Sequence, residues 1–579
     1  MVSATHPYDD KLSPFGLSLI NLRSTELSEN IPYEEALKLL PSVDVRERGG
    51  KSVQADIAVR GGNSDQTAIL LNGVDFTDIR TGHQSHSLPV DSDIISQIRL
   101  IDGSNRGLTG AVNLMIAPLA ENYLRLNLSG GMYGYTYANL SGNVTRLKDG
   151  NVMQLFNSAS FKRSDGYIHN TDFDNYNFYT RFQYNGKNSG RFDAQAGYQN
   201  RAFGANGFYS LKFPEQYEQT ATFLGSLRWT LNKEAFDIDS YISYRRNTDR
   251  FELIKGSEDK VPFNHHLTDN FAAYASASLP WAAGRSLVSA EYRFGGIYSS
   301  VLGDPLPEAV GKYTKHKARH TLNLVLRHAK QWDKVEVNAA LEGNLSPYGF
   351  TPIWNARVNY RPTDAWLLEL TGARTHRLPT YTDLYYTATG YISNPNLVPE
   401  TATMVLGRAA FSKGIWNAEF TAYYRHGRNI IDWIRENEDA DWMSMQVTRM
   451  NTLGAELSLS LTPEHGILQK LALMGGYTDC GKNSGVFISK YVMDNIRSKA
   501  CALASLRFGK HWALNANAGF YDRAGTYDPY FLLNAKLSYT VGALKIYIDA
   551  DNLTNTRYYD FTGLQMPGLW ALAGITICL

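Results

Sequence analysis

Apolar and polar residues alternate one by one over most of the chain after about residue 121. The pattern is clearest in segments 124–129, 236–242, 335–342, 457–461 and 544–550. Side chains of a β-strand point alternately to its two faces, so a period of two predicts strands with one apolar and one polar face. A soluble β-sandwich and a membrane β-barrel both fit this pattern.

The first 120 residues follow a different pattern. Residues 32–41 predict a short helix with a proline in its first turn, two glutamates at its N-terminal end and a second proline as its stop. Short strands are predicted at 56–60, 67–71 and 97–101, with an Asn-Gly turn at 71–74. Residues 1–120 therefore predict a small mixed α/β domain.

Chain length favours the barrel. The remaining residues, 121–579, number 459 of the 579, and an outer-membrane strand with its connection takes roughly 20 residues, which gives about 22 strands. A barrel of this width needs a plug if it is not an open channel. We therefore predict an all-β protein: a large antiparallel transmembrane β-barrel at 121–579, with the α/β plug domain in its lumen.

Composition removes several other classes. The net charge of +1 excludes the basic excess of a nucleic-acid-binding protein, so no nucleic-acid partner is expected. No apolar run is long enough for a transmembrane helix, and the mean hydropathy of -0.32 fits alternating strands. The chain lacks nucleophile elbows, zinc-protease helices and dinucleotide fingerprints, so no enzyme is indicated.

Several motifs resemble those of the TonB-dependent outer-membrane receptors. They are LPSVDV (40–45), VRGG (59–62), LNGV (71–74), TGAVNL (109–114), RLPTYTDLY (377–385), NPNLVPET (394–401), NTLGAE (451–456) and DNLTNTRYY (551–559). Residues 2–5 also resemble the end of the segment that contacts TonB. The resemblance implies the outer membrane of a Gram-negative bacterium, contact with its lipid, and energy from the TonB–ExbB–ExbD complex. It also allows a surface lipoprotein that caps the barrel.

Within that family the plug is similar to the cobalamin (vitamin B12) receptors, on residues 43–60 and 73–89. In that branch two plug loops form the floor of the extracellular binding site. By position, this resemblance implies ligand contacts from Lys51, Ser52, Val53, Gln54, Ala55, Thr81, Gly82, His83, Gln84, Ser85, His86 and Ser87. The function implied is active, TonB-dependent uptake of a corrinoid, with cobalamin as the transported ligand and no required cofactor.

Three alternatives stay open at this point. A ferric siderophore or haem receptor would share the same fold, and a soluble all-β glycan-binding protein would share the alternation. His83 and His86 also fit ordinary solvated loop residues.

Asp172 and Asp174 form an acidic loop of the kind that binds calcium weakly in extracellular proteins, so a calcium site is predicted there.

Overall fold

The computed structural model describes most of the chain. The described ranges are 22–23, 33–51, 53–85, 87–102, 107–117, 120–388, 390–482, 487–490, 495–525, 528–561 and 563–579. None of the described helices has the length and apolar character of a membrane span.

The described residues of the N-terminal domain form one α-helix, three 3-10 helices and two small sheets. Its helices are α1 (Tyr33–Leu39) and the 3-10 turns Ser64–Gln66, Gly82–Gln84 and Ser92–Ile94; its strands are β1 (Leu22–Arg23), β2 (Val43–Arg48), β3 (Gln54–Val59), β4 (Thr67–Leu71), β5 (Val74–Asp75), β6 (Gln97–Ile101) and β7 (Gly110–Met115). One sheet has the order β1-β6-β7-β4-β5, and β2 and β3 form an antiparallel pair.

Local sequence signals account for much of this domain. The predicted helix and the strands near 56–60, 67–71 and 97–101 are present. Asn72 and Gly73, which join β4 to β5, both have positive φ (52° and 78°), as an Asn-Gly hairpin turn requires. Strands β2 and β7 were not predicted, and β7 pairs in parallel with β4.

The rest of the described chain forms a closed antiparallel barrel. Its strands are β8 (Tyr123–Gly131), β9 (Thr136–Lys148), β10 (Asn151–Ser164), β11 (Phe173–Gly186), β12 (Gly190–Gly204), β13 (Tyr217–Asn232), β14 (Asp237–Glu252), β15 (Asn264–Trp281), β16 (Gly284–Ser299), β17 (Asp304–Val310), β18 (Tyr313–Trp332), β19 (Val335–Ser346), β20 (Gly349–Tyr360), β21 (Trp366–Arg377), β22 (Tyr391–Ile392), β23 (Glu400–Lys413), β24 (Trp416–Arg435), β25 (Trp442–Leu461), β26 (Leu468–Lys482), β27 (Ile488–Ser489), β28 (Ile496–Phe508), β29 (Trp512–Arg523), β30 (Tyr530–Val541), β31 (Leu544–Asp551), β32 (Tyr559–Phe561), β33 (Leu564–Gln565) and β34 (Trp570–Cys578). A 3-10 turn at Met132–Gly134 and the short helix α2 (Tyr381–Tyr385) lie in the connections.

The predicted strand number is confirmed. Twenty-two long strands form the wall, which closes where β34 pairs with β8. Strands β17, β22 and β27 are short additions to the wall, and β32 and β33 form a separate hairpin. Every wall strand is therefore hydrogen-bonded on both sides, as a membrane requires of a sheet.

The barrel is apolar outside and polar inside. Leu341 is 67% exposed on the outer face, whereas the next residue, Glu342, is only 7% exposed. The same inversion holds at Leu227 and Ser226 and along most wall strands. The alternation therefore reflects a lipid-facing side and a lumen-facing side, which removes the soluble glycan-binding alternative.

The two ends of the barrel differ. Very short turns join β9 to β10, β15 to β16 and β18 to β19, whereas long connections join β12 to β13, β14 to β15 and β21 to β23. We call the end with the long connections the outer end, because outer-membrane barrels carry long loops on the extracellular side.

The N-terminal domain fills the lumen. Its apolar core, which includes Leu37, Ile57, Ile69 and Val112, continues into lumen-facing wall residues such as Tyr179. The described plug strands end at Met115, and the first wall strand begins at Tyr123.

Candidate functional site

Lys51 lies at the outer end of the plug, in the first predicted binding segment. Its backbone is left-handed (φ 54°), and its ammonium group pairs with Asp551 at the outer end of β31. The ammonium nitrogen also lies 5.7 Å from the centroid of the Trp570 ring. Lys51 therefore joins the plug to the wall, while part of its side chain remains exposed. Ser52 lies outside the described residues.

The remainder of this segment enters strand β3 and is buried. Val53 belongs to an apolar cluster with Phe203 and Phe208, and Ala55 belongs to the plug core. Gln54 is 1% exposed and donates from Nε2 to the Tyr209 hydroxyl at 2.9 Å. Val53, Gln54 and Ala55 are therefore buried beneath the predicted binding surface and support it from below.

The second predicted segment, residues 81–87, begins with a 3-10 turn. Thr81 caps the turn by accepting a hydrogen bond from the His83 backbone N–H at 3.4 Å. The N–H of Gly82 donates to the carboxylate of Asp65. The side chains of Thr81 and His83 are both partly exposed at the top of the plug. His86 lies outside the described residues.

The end of the same segment is tied to the barrel wall. Gln84 donates from Nε2 to Glu218 Oε1 at 2.7 Å. The Ser87 hydroxyl donates to Gln84 Oε1 at 2.9 Å and accepts from the Arg201 guanidinium at 2.7 Å. Ser85 is 1% exposed. Gln84 and Ser87 therefore hold the segment against the wall, whereas the Ser85 hydroxyl accepts from the backbone N–H of Asp78 within the plug.

Contacts with the Asp56 carboxylate bring the two predicted segments together. The His83 ring nitrogen Nδ1 lies 2.6 Å from Asp56 Oδ1, and Arg48 donates to the other oxygen of Asp56 at 2.8 Å. Burial alone would raise the pKa of Asp56, but Arg48 and His83 together hold that pKa well below its usual range. Asp56 is therefore ionised at neutral pH and positions the His83 ring.

Gly82 has no room for a side chain. A Cβ at this position would overlap the backbone of Ser64 and Asp65. Gly82→Ala is therefore expected to displace the turn and destabilise the plug by about 1–3 kcal/mol. Hydrogen exchange of the backbone amides at 82–85 measures this loss. Gly407→Ala is the matched control, since a Cβ there meets nothing within 4 Å, and equal protection in both variants would contradict the expectation.

A loop of the barrel lies over the plug segments. The carbonyl oxygen of Phe208 accepts from Arg48 at 3.2 Å, and the Tyr209 hydroxyl donates to Glu218 of β13. These residues belong to the connection between β12 and β13 and to the start of β13. Sequence reasoning missed Tyr209 and Glu218; the pairing depends on a tertiary contact that no local pattern records. Among the described residues of the predicted site, Lys51, Thr81 and His83 are therefore the partly exposed ones.

The predicted calcium site has few candidate ligands among the described residues. Asp172 lies 3.7 Å from the ammonium group of Lys255, and Asp174 is the second residue of β11, opposite Arg163 and Ala202. Within the described ranges, no group of three or more His, Cys, Asp or Glu side chains is arranged to hold a metal ion. Calcium at Asp172 and Asp174 stays a prediction.

A buried charge cluster fastens the middle of the plug to the wall. Arg60 of the plug is fully buried, pairs with Asp102, and donates from Nε to Glu456 Oε1 of β25 at 2.6 Å. Arg408 of β23 reaches Asp102 at 3.1 Å. We call Arg60, Asp102, Arg408 and Glu456 the lock cluster. The positive and negative side chains of this cluster neutralise one another. Because they are buried, water competes little with the contacts that hold the plug to the wall.

A plug held inside a 22-stranded wall defines a plugged outer-membrane barrel. The sequence profile described as "TonB-dependent Receptor Plug Domain" matches residues 23–115, and the profile "TonB dependent receptor-like, beta-barrel" matches residues 119–553. The chain belongs to the TonB-dependent receptor family. It is accordingly a transporter of the Gram-negative outer membrane that interacts with TonB, and the outer end of the barrel faces the exterior.

Individual relatives differ in what their names say they carry. The Vitamin B12 transporter BtuB of Vibrio vulnificus (strain YJ016) is 22% identical over 552 residues, which cover 90% of this chain and 85% of the relative. The ferric enterobactin receptor PfeA of Pseudomonas aeruginosa has a TM-score of 0.75 at 14% identity, covering 97% of this chain and 98% of that one. The copper transporter OprC has a TM-score of 0.77 at 13% identity and covers 95% of each chain. The structural likenesses concern the fold.

Proposed function

We propose that this receptor imports a corrinoid, with cobalamin as the transported ligand. The observation that carries the proposal is the match to the Vitamin B12 transporter BtuB along nearly the full length of both chains. The plug loops that resemble cobalamin receptors also lie at the outer end of the lumen. A corrinoid is large and rich in amide groups, so it suits hydroxyl and imidazole contacts more than a strongly charged pocket.

In this proposal the ligand rests on the exposed tops of the two plug segments. Thr81 and His83 supply a hydroxyl group and an imidazole, and Lys51 borders the same surface. Asp56 and Arg48 beneath them keep the His83 ring in one orientation. Ligand binding then requires little rearrangement of the plug. Little binding free energy is lost to ordering the site, so affinity is preserved.

Transport requires movement of the plug. We propose that TonB, driven by ExbB–ExbD, pulls on the N-terminal segment and that the plug shifts away from the wall on one side. Single hydrogen bonds and exposed ion pairs contribute about 1 kcal/mol or less each, so contacts such as Gln84 to Glu218 can open one after another. The lock cluster opens last, because its charges are buried. A surface lipoprotein lid stays a prediction.

A titration of the detergent-solubilised full chain with cyanocobalamin tests the proposal. We expect saturable binding at or below micromolar ligand, whereas ferric enterobactin and haemin do not compete. Absence of corrinoid binding, or displacement by either iron ligand, would refute the corrinoid assignment and favour the siderophore or haem alternative.

The site itself is tested with His83→Gln. Loss of one ligand hydrogen bond corresponds to about 0.5–1.5 kcal/mol, so we expect binding to weaken roughly 2- to 10-fold. His511→Gln is the matched control, because His511 lies in a short turn at the opposite end of the barrel and is exposed. Equal affinity of the two variants would place the ligand elsewhere.

A further inference from the structure

Three arginines on the outward face of the barrel have no carboxylate partner in the part of the chain that the structure describes. They are Arg374 of β21, Arg428 of β24 and Arg449 of β25. The first is partly exposed and the other two are exposed. Arg246, also on the outward face, differs from them because it pairs with Asp269 at 2.7 Å. The three unpaired arginines therefore leave an excess of positive charge on this part of the wall.

The register of the wall brings these arginines into one patch. Arg428 lies directly opposite Arg449. One row lower on the same face, Arg374 lies opposite Thr403, and Thr403 lies opposite His426. Neighbouring strands are about 4.8 Å apart and each residue rises about 3.4 Å, so the Cα atoms of the three arginines lie about 5 to 16 Å from one another. We call Arg374, Arg428 and Arg449 the arginine patch.

The arginine patch borders the apolar belt of the wall. In the row just below it, Val405 and Leu453 lie on either side of Tyr424, and these three side chains are 51%, 57% and 46% exposed. From Arg428, strand β24 continues to Arg435 at the outer end of the barrel. Outward apolar side chains of a membrane barrel face the acyl chains, so the patch lies where the headgroups of the outer leaflet begin.

The charges of the patch favour an anionic partner. Like charges directly opposite each other on neighbouring strands destabilise the pair, so Arg428 beside Arg449 is unfavourable without a counter-charge. On the next strand, the carboxylate residue Asp479 lies opposite Leu453. Leu453 is four residues from Arg449, about 13 Å along the strand, so Asp479 lies too far away to form an ion pair with Arg449. An anion bound between the two guanidinium groups would remove their repulsion.

A hydrogen-bond network holds Arg428 in position. Asn451 Oδ1 accepts from the Tyr424 hydroxyl at 3.0 Å and lies 2.7 Å from Nδ1 of His426. The Nε of Arg428 donates to Nε2 of His426 at 3.4 Å, which places the imidazole proton on Nδ1. Among the described residues, the two terminal nitrogens of Arg428 have no partner, so they can bind a ligand at the surface.

We propose that the arginine patch binds the phosphate groups of an anionic lipid in the outer leaflet. Guanidinium groups bind phosphate through paired, charge-assisted hydrogen bonds, and basic residues at a membrane surface attract anionic lipid. The hydroxyl groups of Thr401 and Thr403 lie between the strands that carry the arginines and supply further donors. The acyl chains of the lipid pack against Val405 and Leu453 below. This proposal is independent of the corrinoid assignment, because the patch lies outside the lumen.

Native mass spectrometry of the full chain in detergent tests the proposal. The probe is lipid A, a glycolipid with two phosphate groups. We expect saturable binding of one lipid A per chain. The double variant Arg428→Gln with Arg449→Gln should weaken this binding about tenfold or more, as expected for the loss of charge-assisted hydrogen bonds. Lipid A without its phosphate groups should bind the parent chain as weakly as intact lipid A binds the double variant.

The matched control is Arg246→Gln, because Arg246 is an outward arginine that already has a carboxylate partner. Its lipid A affinity should equal that of the parent chain, and heat-dependent gel mobility checks that each variant retains the barrel. Inorganic phosphate should not displace lipid A, because it makes no contact with the apolar belt. Displacement by inorganic phosphate would assign the patch to a free anion and overturn the lipid assignment. Equal lipid A affinity in the double variant and the parent chain would overturn the proposal as a whole.

Discussion

Arg60→Met is expected to destabilise the plug by about 3–5 kcal/mol, because it leaves the carboxylates of Asp102 and Glu456 buried with too little positive charge. The wall should stay folded, since its backbone hydrogen bonds do not involve this side chain. Urea titration followed by limited proteolysis measures the effect, as the plug should become cleavable at lower urea than in the parent chain.

Two companion variants separate the charge effect from simple loss of a side chain. Arg246→Met removes a half-exposed arginine that pairs with Asp269 at 2.7 Å, and should cost about 1 kcal/mol or less. The double variant Arg60→Met with Glu456→Met should recover part of the stability, because an apolar pair replaces one buried ion pair. If Arg60→Met lowers stability no more than Arg246→Met does, the lock cluster does not hold the plug to the wall.

Deleting residues 1–120 is expected to convert the receptor into an open pore. Each wall strand pairs with two others, so the wall needs no plug residue to complete its hydrogen bonding. Lumen-facing arginines such as Arg181 and Arg523, now buried against the plug, would be exposed to water and hydrated. Planar-bilayer recording should then show a large, stable conductance.

The control for the deletion is the full chain in the same bilayers, where the plug should keep the conductance near the background. Heat-dependent gel mobility identifies preparations in which the wall has formed. A folded wall without conductance would mean that loops of the barrel close the lumen without help from the plug.

Patterns of short range predicted most of the fold. Alternation at 335–342 and 544–550 marked wall strands because the two faces meet different surroundings, lipid and lumen, at every second residue. Asn72-Gly73 predicted its turn because both residues tolerate positive φ. Strand β7 escaped prediction because its partner β4 lies some 40 residues earlier in the chain, and parallel pairing has no turn signal.

The residues of the site were predicted from the family resemblance alone. Which of them are exposed and which contact the wall could be learned only from the structure. Thr81 and His83 are partly exposed, whereas Gln84 and Ser87 are buried because Glu218 and Arg201 of the wall reach them. Those wall residues are more than 100 positions away in the chain. Their proximity follows from barrel closure around the plug, which no local pattern of side chains determines.

The pairing of β34 with β8 also sets the order in which this protein can be assembled. Residues 125–131 meet residues 572–578 at that seam, so the ring cannot close until residues 572–578 have been made. The plug precedes β8 and lies inside the finished ring. It must therefore be enclosed no later than seam formation, and a chain shortened before β34 would keep β8 and β31 as open edges inside the membrane.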